Sequence, residues 1–280
     1  MKLNGETAVY GIFGYPVKHS KSPTFQTAAF LQLGLNAVYI PFQVKPENLQ
    51  KAIESIKILD IKGVNITIPF KEESLKYVDE LSEEVRVVGA LNTIKNLDGY
   101  LIGYNTDYHG FVKGLKELEE KIEGKRVLVI GAGGASKAVI YGLLKDGVDK
   151  IYLSNRTVQR AVDTVQKFKE HYRLVDKIIN PIGLEEINRV LEYVDIIVNT
   201  TSVGLKDNDS PLFDYRKLKP HHTVVDIIYK KTELLQKAEA IGCKYQDGYP
   251  MLLYQGVRSF EIWTGREAPV EVMRQALLSG

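Results

Sequence analysis

The sequence predicts an α/β protein of two domains, the first built on a mixed sheet and the second on a parallel sheet. Short apolar runs rich in β-branched residues alternate with longer amphipathic segments along most of the chain, which is typical of parallel strands joined by helices. The 280 residues exceed the roughly 150 that are usual for one domain. With 44% apolar and 26% charged residues, the composition is that of a globular protein.

The first domain is predicted to contain three strands and two crossover helices, followed by a hairpin. The strands span residues 9–14, 37–44 and 63–70, and the helices span 23–33 and 46–59. Each helix opens with a proline, which is tolerated in the first turn because its missing N–H would have no partner there. The hairpin spans 90–95 and 100–104 around the Asp98-Gly99 turn, and its antiparallel pair makes the sheet mixed.

A helix over residues 106–123 is predicted to end at Gly124 and to link the two domains. The second domain then shows strands at 126–130, 150–154, 194–200 and 223–228, with helices from Ala135 and over 158–172. Two final helices are predicted near 249–263 and 269–278. We therefore expect domains at 1–108 and 123–242, a linking helix at 109–122, and C-terminal helices at 243–280.

Charge and cysteine content exclude several classes of protein. Lys and Arg total 37 and Asp and Glu total 35, so the net charge of +2 is too small for the field that a nucleic-acid binder requires. The single cysteine, Cys243, cannot form an intramolecular disulfide and fits a reducing compartment. The first residues lack an apolar signal segment, and no run of about 18 apolar residues occurs. We expect a cytoplasmic protein that binds neither nucleic acid nor membrane.

A glycine-rich turn follows the first strand of the second domain. Gly131, Ala132, Gly133, Gly134 and Ala135 connect the strand at 126–130 to a helix. Gly131 permits a tight turn and Gly133 lets the backbone approach a pyrophosphate, which the helix N-terminus attracts. Ser136 replaces the third glycine of the usual fingerprint, so a plain strand-to-helix turn is the alternative. The flanking strand and helix favour dinucleotide binding.

The end of the next strand indicates which dinucleotide is bound. NAD-binding proteins usually carry an acidic residue there for the ribose hydroxyl, whereas this chain reads Asn155, Arg156 and Thr157, with Arg160 one helical turn later. Guanidinium groups match the oxygens of a 2′-phosphate, so the residues favour NADP over NAD. The alternative is that both arginines are ordinary solvated side chains.

Polar side chains follow three strands of the first domain, where α/β sheets bind ligands. Ser20 and Ser22 precede a helix start and can hold an anionic group, although Ser22 can also be a simple helix cap. Thr67 lies near the end of the third strand and Lys71 directly follows it, and a lysine there can transfer protons. Asn92 lies on the first strand of the hairpin and Asp107 follows the second, and Asp107 can alternatively serve only as an N-terminal helix residue. We hypothesise that these side chains converge.

Eight motifs in this order resemble those of the shikimate dehydrogenase family, and the resemblance covers nearly the whole chain. They read GYP at 14–16 with HSKSP at 19–23, NITIPFK at 65–71, GALNT at 89–93, GYNTD at 103–107, GAGGAS at 131–136, NRT at 155–157, NTTSVG at 199–204, and DG at 247–248 with MLLYQG at 251–256. The resemblance implies a substrate domain, a Rossmann-like NADP domain, and C-terminal helices that return to the first domain. It also implies reduction of 3-dehydroshikimate to shikimate in aromatic amino-acid biosynthesis.

The resemblance assigns roles position by position. It implies that Ser20 and Ser22 hold the substrate carboxylate, that Lys71 is the catalytic acid/base paired with Asp107, and that Tyr229 closes over the substrate. The residues implied to bind ring hydroxyls are Thr67, Asn92, Asp107 and Gln255. The residues implied to bind NADP are Glu83, 131–135, Asn155, Arg156, Thr157, Arg160, Ile227 and Gly248. The segment from Asp226 to Thr232 is shorter than the pattern usual in the family, which questions the shape of that loop.

Other functions stay open at this point. A quinate/shikimate dehydrogenase with relaxed substrate or cofactor choice is the nearest alternative, and a methylenetetrahydrofolate dehydrogenase shares the two-domain plan without the serine pair. A catalytically silent NADP-sensing protein is an alternative from a different class, although a sensor needs no proton donor beside a carboxylate. Members of the family occur as monomers and homodimers, and the sequence does not separate the two.

Overall fold

Two six-stranded sheets organise residues 3–206 and 208–279, the part of the chain that this computed structural model describes. The chain divides into two compact units. The first unit contains the residues up to Thr106 and those from Leu253 onward, and the second contains residues 107–252. The predicted two-domain α/β class is therefore confirmed.

The sheet of the first unit is mixed, as predicted, with the order β2-β1-β3-β5-β6-β4. β1 pairs in parallel with β2 and β3, while β5 pairs antiparallel with β3 and β6. The elements are β1 (Ala8–Gly14), α1 (Ser22–Gln32), β2 (Ala37–Gln43), α2 (Leu49–Ile58), β3 (Gly63–Ile66), β4 (Glu80–Leu81), α3 (Glu83–Val88), β5 (Thr93–Leu97) and β6 (Tyr100–Tyr104). The apolar face of α2 packs on this sheet, since Ile53 and Ile56 are buried with Val64 of β3.

Two strand predictions in the first unit differ from the structure, since the strand at 63–70 was too long and the strand at 90–95 was placed too early. β3 ends at Ile66 because the chain turns there: Phe70 donates its N–H to the Thr67 carbonyl at 2.9 Å, and Pro69 has no N–H to give to a ladder. Residues 90–92 also lie outside β5. They still make backbone bonds, including one from Leu91 to the Lys71 carbonyl at 2.9 Å. The polar residues at 67 and 92 therefore lie in irregular backbone just beyond the strands, where side chains can face a ligand.

The sheet of the second unit is entirely parallel, with the order β12-β11-β10-β7-β8-β9. Central strand β7 is fully buried from Val127 to Ile130, which explains its unbroken apolar sequence. The elements are α4 (Asp107–Glu117), β7 (Arg126–Ile130), α5 (Gly134–Lys145), β8 (Lys150–Ser154), α6 (Val158–Lys169), α7 (Val175–Ile178), β9 (Ile179–Ile182), α8 (Ile187–Val190), β10 (Ile196–Asn199), β11 (Thr223–Asp226), α9 (Glu233–Ile241) and β12 (Lys244–Gln246). The edge strands β9 and β12 were not predicted.

Two helices complete the chain, α10 (Tyr249–Thr264) and α11 (Val270–Ser279). From Leu253 onward they belong to the first unit, so the predicted return of the C-terminal helices is confirmed. Trp263 of α10 donates its indole N–H to the Ile94 carbonyl at 2.9 Å, and its ring packs against Tyr10 with centroids 5.4 Å apart. The domain ranges expected from the sequence stay a prediction, whereas the division between the units falls after Thr106 and after Leu252.

Among the described residues, none of the helices combines the length and the apolar character needed to cross a bilayer. Cys243 is buried next to β12, where its thiol lies 3.1 Å from the Lys219 carbonyl, and burial raises the pKa of that thiol.

Candidate active site

A closed cluster of polar side chains lies in the first unit, where β3 and β6 end and β5 begins. It consists of Asn65, Asn92, Thr93, Thr106, Gln255 and Ser259, and we call it the Asn92 cluster. Each of these side chains is at least nine-tenths buried. Buried polar groups are stable only when they are paired, so the position of each member depends on the others.

Asn92 lies at the centre of the cluster and is 2% exposed. Its Oδ1 accepts the Thr106 backbone N–H at 2.7 Å, and the same oxygen accepts the Thr93 hydroxyl at 3.2 Å. Its Nδ2 donates to Thr106 Oγ1 at 2.9 Å and to Gln255 Oε1 at 3.3 Å. Because a backbone N–H can only donate, the bond from Thr106 fixes which end of the Asn92 amide is the oxygen.

Asn65 joins β3 to the C-terminal helix. Its Nδ2 lies 3.0 Å from Ser259 Oγ and 3.1 Å from Thr93 Oγ1, while its Oδ1 accepts the Tyr39 hydroxyl at 2.7 Å. Burial holds the pKa of Tyr39 well above its usual value, so that phenol keeps its proton. The sequence showed Asn65 as a polar residue in a buried strand, and the structure shows that its side chain links β3 to β2, β5 and α10 by hydrogen bonds.

A second group of predicted residues surrounds the start of α1. The helix begins at Ser22, with Lys21 as the preceding cap residue, so the alternative role of Ser22 as the N-cap is wrong. The Ser22 N–H donates to Ser20 Oγ at 3.3 Å, which brings the two serines together at the positive end of the helix. Thr67 and Lys71 are half-buried in the turn after β3. Paired hydroxyls at a helix N-terminus can bind a carboxylate.

Asp107 is the first residue of α4 and of the second unit, and only 8% of it is exposed. It directly follows Thr106, whose N–H and hydroxyl are both held by Asn92. The backbone that leads into Asp107 is therefore fixed by the cluster. Burial of a carboxylate is unfavourable unless the group is paired or has a binding or catalytic role, so the burial of Asp107 is consistent with a functional residue.

The glycine-rich turn has the geometry that a pyrophosphate needs. Gly131 has φ +112°, and a Cβ there would meet Thr200 Oγ1 at 2.5 Å, so only glycine fits. Gly133 caps α5, and an added Cβ at Gly133 or Gly134 would have no heavy atom within 4 Å. Ser136 is fully buried and donates to the Gly133 carbonyl at 2.7 Å, so this departure from the fingerprint stabilises the turn. Open backbone N–H groups at the start of a 12-residue helix suit a phosphate.

A cavity of about 290 Å³ adjoins this turn within the second unit, and we call it the dinucleotide cavity. Its walls include Gly131, Asn155, Arg156, Thr157, Arg160 and Thr201. Arg156 lies before α6, whose cap is Thr157, and Arg160 lies in the first turn of that helix. Both line the same cavity and are exposed, and neither guanidinium group bonds to another residue within 3–206 and 208–279. Uncommitted guanidinium groups at this point fit the 2′-phosphate of NADP.

The loop after β11 holds the remaining predicted cofactor residues. Asp226 accepts the Thr232 hydroxyl at 2.8 Å and the Asn199 amide at 3.1 Å, and burial raises the pKa of its carboxyl. A Cβ on Gly248 would collide with the carbonyl of Ile227 and with the Tyr229 ring, so glycine is required there. Ile227, Tyr229 and Gly248 are thus brought together, and the short 226–232 segment closes on itself.

Glu83 is separate from these residues. It is exposed at the start of α3 in the first unit, whereas the dinucleotide cavity belongs to the second. Its cofactor contact stays a prediction.

Sequence reasoning missed Ser259 and Thr93 as site residues, and it named Thr106 and Asn65 only as parts of motifs. Thr93 and Ser259 are 166 positions apart, yet their hydroxyls lie 2.8 Å from each other. The available signal was the spacing of Ser259, which follows Gln255 by four residues on α10 and so shares its helix face.

Comparison with known proteins agrees with this geometry. The shikimate dehydrogenase substrate binding domain matches residues 12–94, the shikimate / quinate 5-dehydrogenase domain matches 114–227, and the shikimate 5′-dehydrogenase C-terminal domain matches 248–278. An NADP(+) shikimate dehydrogenase of Aquifex aeolicus is 48% identical over 278 residues, which is 98% of each chain.

Two solved structures share the whole fold. A shikimate dehydrogenase in complex with NADP+ is 40% identical with a TM-score of 0.91, covering 99% of this chain and 97% of that one. A quinate dehydrogenase from Corynebacterium glutamicum in complex with NAD is 30% identical with a TM-score of 0.90, covering 98% and 99%. Matching domains along the chain, high identity over its full length and a shared two-sheet fold lead to one conclusion: this chain belongs to the shikimate dehydrogenase family.

Proposed function

We propose that the chain catalyses the NADP-dependent interconversion of 3-dehydroshikimate and shikimate, in aromatic amino-acid biosynthesis. The observation that carries the proposal is the pairing of two kinds of site in one chain. The first unit has a closed polar cluster beside two serines at a helix start, suited to a small polyhydroxylated acid. The second unit has an open glycine-rich turn beside two uncommitted arginines, suited to NADP.

The substrate is held by hydrogen bonds of two types. Ser20 and Ser22 bind its carboxylate, with the positive end of α1 behind them. Thr67, Asn92 and Gln255 bind ring hydroxyls from the first unit, and Asp107 and Tyr229 are the two substrate residues that belong to the second. A small ring with several hydroxyls is recognised sharply by such a set, because an analogue lacking one hydroxyl leaves a buried polar group unpaired.

Lys71 performs the proton transfer. When bound, NADPH supplies the hydride that adds to the C3 carbonyl carbon of 3-dehydroshikimate. Lys71, in its ammonium form, gives a proton to the oxygen on which negative charge develops, and in the reverse direction the neutral amine removes the proton of that hydroxyl. Asp107 keeps the lysine in place through its negative charge and binds the neighbouring hydroxyl.

The cofactor residues divide by the part of NADP that they bind. Backbone N–H groups of 131–135 bind the pyrophosphate, and Asn155, Arg156, Thr157 and Arg160 bind the adenosine side with its 2′-phosphate. Ile227 and Gly248 face the nicotinamide end, and Glu83 is an additional cofactor contact. We place the protein in the cytoplasm, acting as a monomer or homodimer on small-molecule substrates.

A quinate/shikimate dehydrogenase is the second candidate, because a quinate dehydrogenase with NAD shares the fold at a TM-score of 0.90. The absence of a carboxylate at 155–157 argues against NAD, since no acidic side chain stands there for the ribose hydroxyls.

Initial rates separate the candidates. Nicotinamide reduction is followed with shikimate and with quinate, each with NADP and with NAD, on the full chain. Turnover confined to shikimate with NADP supports the proposal. Comparable rates with quinate or NAD support the second candidate, and a chain that binds NADP without turning over either acid would be a silent sensor.

A further inference from the structure

Ser259 lies inside the Asn92 cluster and is completely buried. Its Oγ is 2.8 Å from Thr93 Oγ1, 3.2 Å from Thr106 Oγ1, 3.0 Å from Asn65 Nδ2 and 3.0 Å from the Gln255 carbonyl. Through this one oxygen atom, Ser259 connects β3, β5 and the segment after β6 with α10. A hydroxyl with this many polar neighbours directs the hydrogen bonds around it.

The direction of each bond follows from counting protons and lone pairs. The Gln255 carbonyl can only accept, so the Ser259 hydroxyl donates to it, and the Asn65 amide can only donate, so Ser259 accepts from it. One lone pair of Ser259 then remains for a threonine hydroxyl. Thr106 already accepts from Asn92 Nδ2 at 2.9 Å, which leaves its proton for Ser259. One path of bonds through the cluster therefore leads from Asn92 to Thr106, to Ser259 and on to the Gln255 backbone, and Thr93 is the other hydroxyl that can donate to Ser259.

We propose that Ser259 is a positioning residue of the substrate site, which holds the Asn92 amide and the Gln255 turn of α10 in register without touching the substrate. This inference rests on the proposed function, in which Asn92 and Gln255 bind ring hydroxyls. Ser259 makes the two binding side chains dependent on each other, although one directly precedes β5 and the other lies on the C-terminal helix.

Loss of the hydroxyl has a defined effect on its neighbours. In Ser259→Ala the Thr106 proton has only Asn92 Oδ1 left within reach, at 3.2 Å, and that oxygen already accepts the Thr106 N–H. The Thr106 hydroxyl would then compete with the Thr93 hydroxyl for that oxygen, which disturbs the bonds that hold the Asn92 amide. Since Asn92 and Gln255 hold hydroxyls and do not transfer the proton, substrate binding suffers more than the chemical step.

The experiment measures KM for shikimate, KM for NADP and kcat in the full chain. For Ser259→Ala we expect KM for shikimate to rise about tenfold, the size expected for a disturbed buried hydrogen bond, with KM for NADP unchanged and kcat within about threefold. Ser259→Cys keeps an atom at the γ position with weaker hydrogen bonding. Its KM for shikimate should therefore fall between those of the wild type and Ser259→Ala. It also provides the test if the alanine variant does not fold.

Ser55→Ala is the matched control. Ser55 belongs to the first unit and its hydroxyl bonds only to the Ala52 carbonyl of its own helix, at 2.7 Å, so all three kinetic constants should stay at their wild-type values. A double variant with Asn92→Ala tests whether Ser259 acts through Asn92. If it does, the double variant has the KM of Asn92→Ala alone, because the positioned group is already gone.

Three outcomes overturn the inference. The first is an unchanged KM for shikimate in Ser259→Ala, and the second is an equal rise in both KM values, which indicates general loosening of the fold. The third is full additivity with Asn92→Ala. Failure of the proposed function is distinguishable, because the wild-type chain itself then fails to turn over shikimate, and that result also removes the substrate that Ser259 is inferred to help position.

Discussion

The two candidate sites are built in opposite ways. In the Asn92 cluster every side chain is buried and hydrogen-bonded to other members, so the site exists before any ligand arrives. In the dinucleotide cavity and the glycine-rich turn beside it, the main groups are the first N–H groups of α5 and two exposed arginines whose guanidinium groups bond to no other residue the structure describes. The first arrangement is interlocked, and the second is a set of separate contacts.

This difference predicts how each site responds to change. Members of an interlocked cluster share partners, so the effects of substitutions there do not add. Exposed groups that act separately should give additive losses, and losses that depend on salt because the ligand is a charged phosphate. An interlocked site also favours one substrate strictly, since every unpaired buried group is penalised.

Lys71→Met should give the largest effect. It tests whether the proton-transfer step can be separated from substrate binding in the first unit. We expect kcat to fall by about 10² to 10⁴, the range for loss of a general acid, while the Kd for shikimate changes little. Stopped-flow or steady-state rates with a separate binding titration measure both. Lys76→Met is the control, because Lys76 is exposed and pairs only with Glu73 at 3.0 Å. A parallel loss of binding would contradict the acid/base role.

Arg156→Ala and Arg160→Ala test the open site. Each should raise KM for NADP by about 10- to 100-fold at low salt, because a charge-assisted hydrogen bond to phosphate is lost, and leave KM for NAD unchanged. The double variant should show the product of the two effects. Arg189→Ala, an exposed arginine of α8 in the same unit, is the control. Strong non-additivity would mean that this site is interlocked as well, and the contrast between the sites would be lost.

Substitution of His222 tests whether interlocked polar groups also stabilise the second unit. It is fully buried, its Nδ1 accepts the Lys219 N–H at 3.0 Å, and its Nε2 donates to the Leu191 carbonyl at 3.0 Å. His222→Ala should lower the free energy of unfolding by about 1 to 2 kcal/mol at pH 8, because both backbone partners lose their bonds. Urea unfolding measures this, with His221→Ala at the exposed neighbour as the control.

The same variant has a pH signature. Burial lowers the pKa of His222 below the usual 6.5, so the folded chain resists the proton that the unfolded chain takes up. The stabilisation by His222 is therefore complete above pH 6.5 and is lost as the pH falls toward the lowered pKa of the folded state. The difference between wild type and His222→Ala should shrink between pH 8 and pH 5.5. A constant difference would contradict a buried neutral imidazole.

Ser74 is an exception in the first unit and gives the smallest expected effect. It is fully buried, and its hydroxyl has no hydrogen-bond partner among the residues described. Ser74→Ala should raise the free energy of unfolding by up to about 1 kcal/mol, since an unpaired buried hydroxyl is unfavourable. Ser55→Ala, which removes a paired hydroxyl, should change it in the opposite direction. A loss of stability in Ser74→Ala would show that this hydroxyl is paired in solution.

Local pattern made much of the fold predictable. The apolar run of β7 and the glycines after it predicted the strand and the tight turn that follows it, because strand burial and backbone freedom are local properties. The edge strands β9 and β12 escaped prediction because their sequences, INPI and KYQ, contain a proline or polar residues in place of an apolar run. The early end of β3 was missed because the effect of Pro69 is not local to its own side chain. Proline has no N–H, so it cannot donate a hydrogen bond to a neighbouring strand.

The site was predictable only in part, for a different reason. Ser20, Lys71 and Asp107 stand at strand or helix ends, which a sequence reveals, and their roles stay proposals. Ser259 escaped because its partners are set by the return of α10 to the first sheet. No local property of residues 255–259 encodes that meeting.

Arg156 and Arg160 also bear on how this chain can evolve. Because neither guanidinium group bonds to another described residue, replacement of either side chain removes no hydrogen bond or ion pair from the fold. Replacement of a member of the Asn92 cluster is not neutral in this way, since it leaves buried partner groups without their hydrogen bonds. Cofactor preference should therefore drift quickly among descendants of this sequence, while the acid it recognises stays fixed.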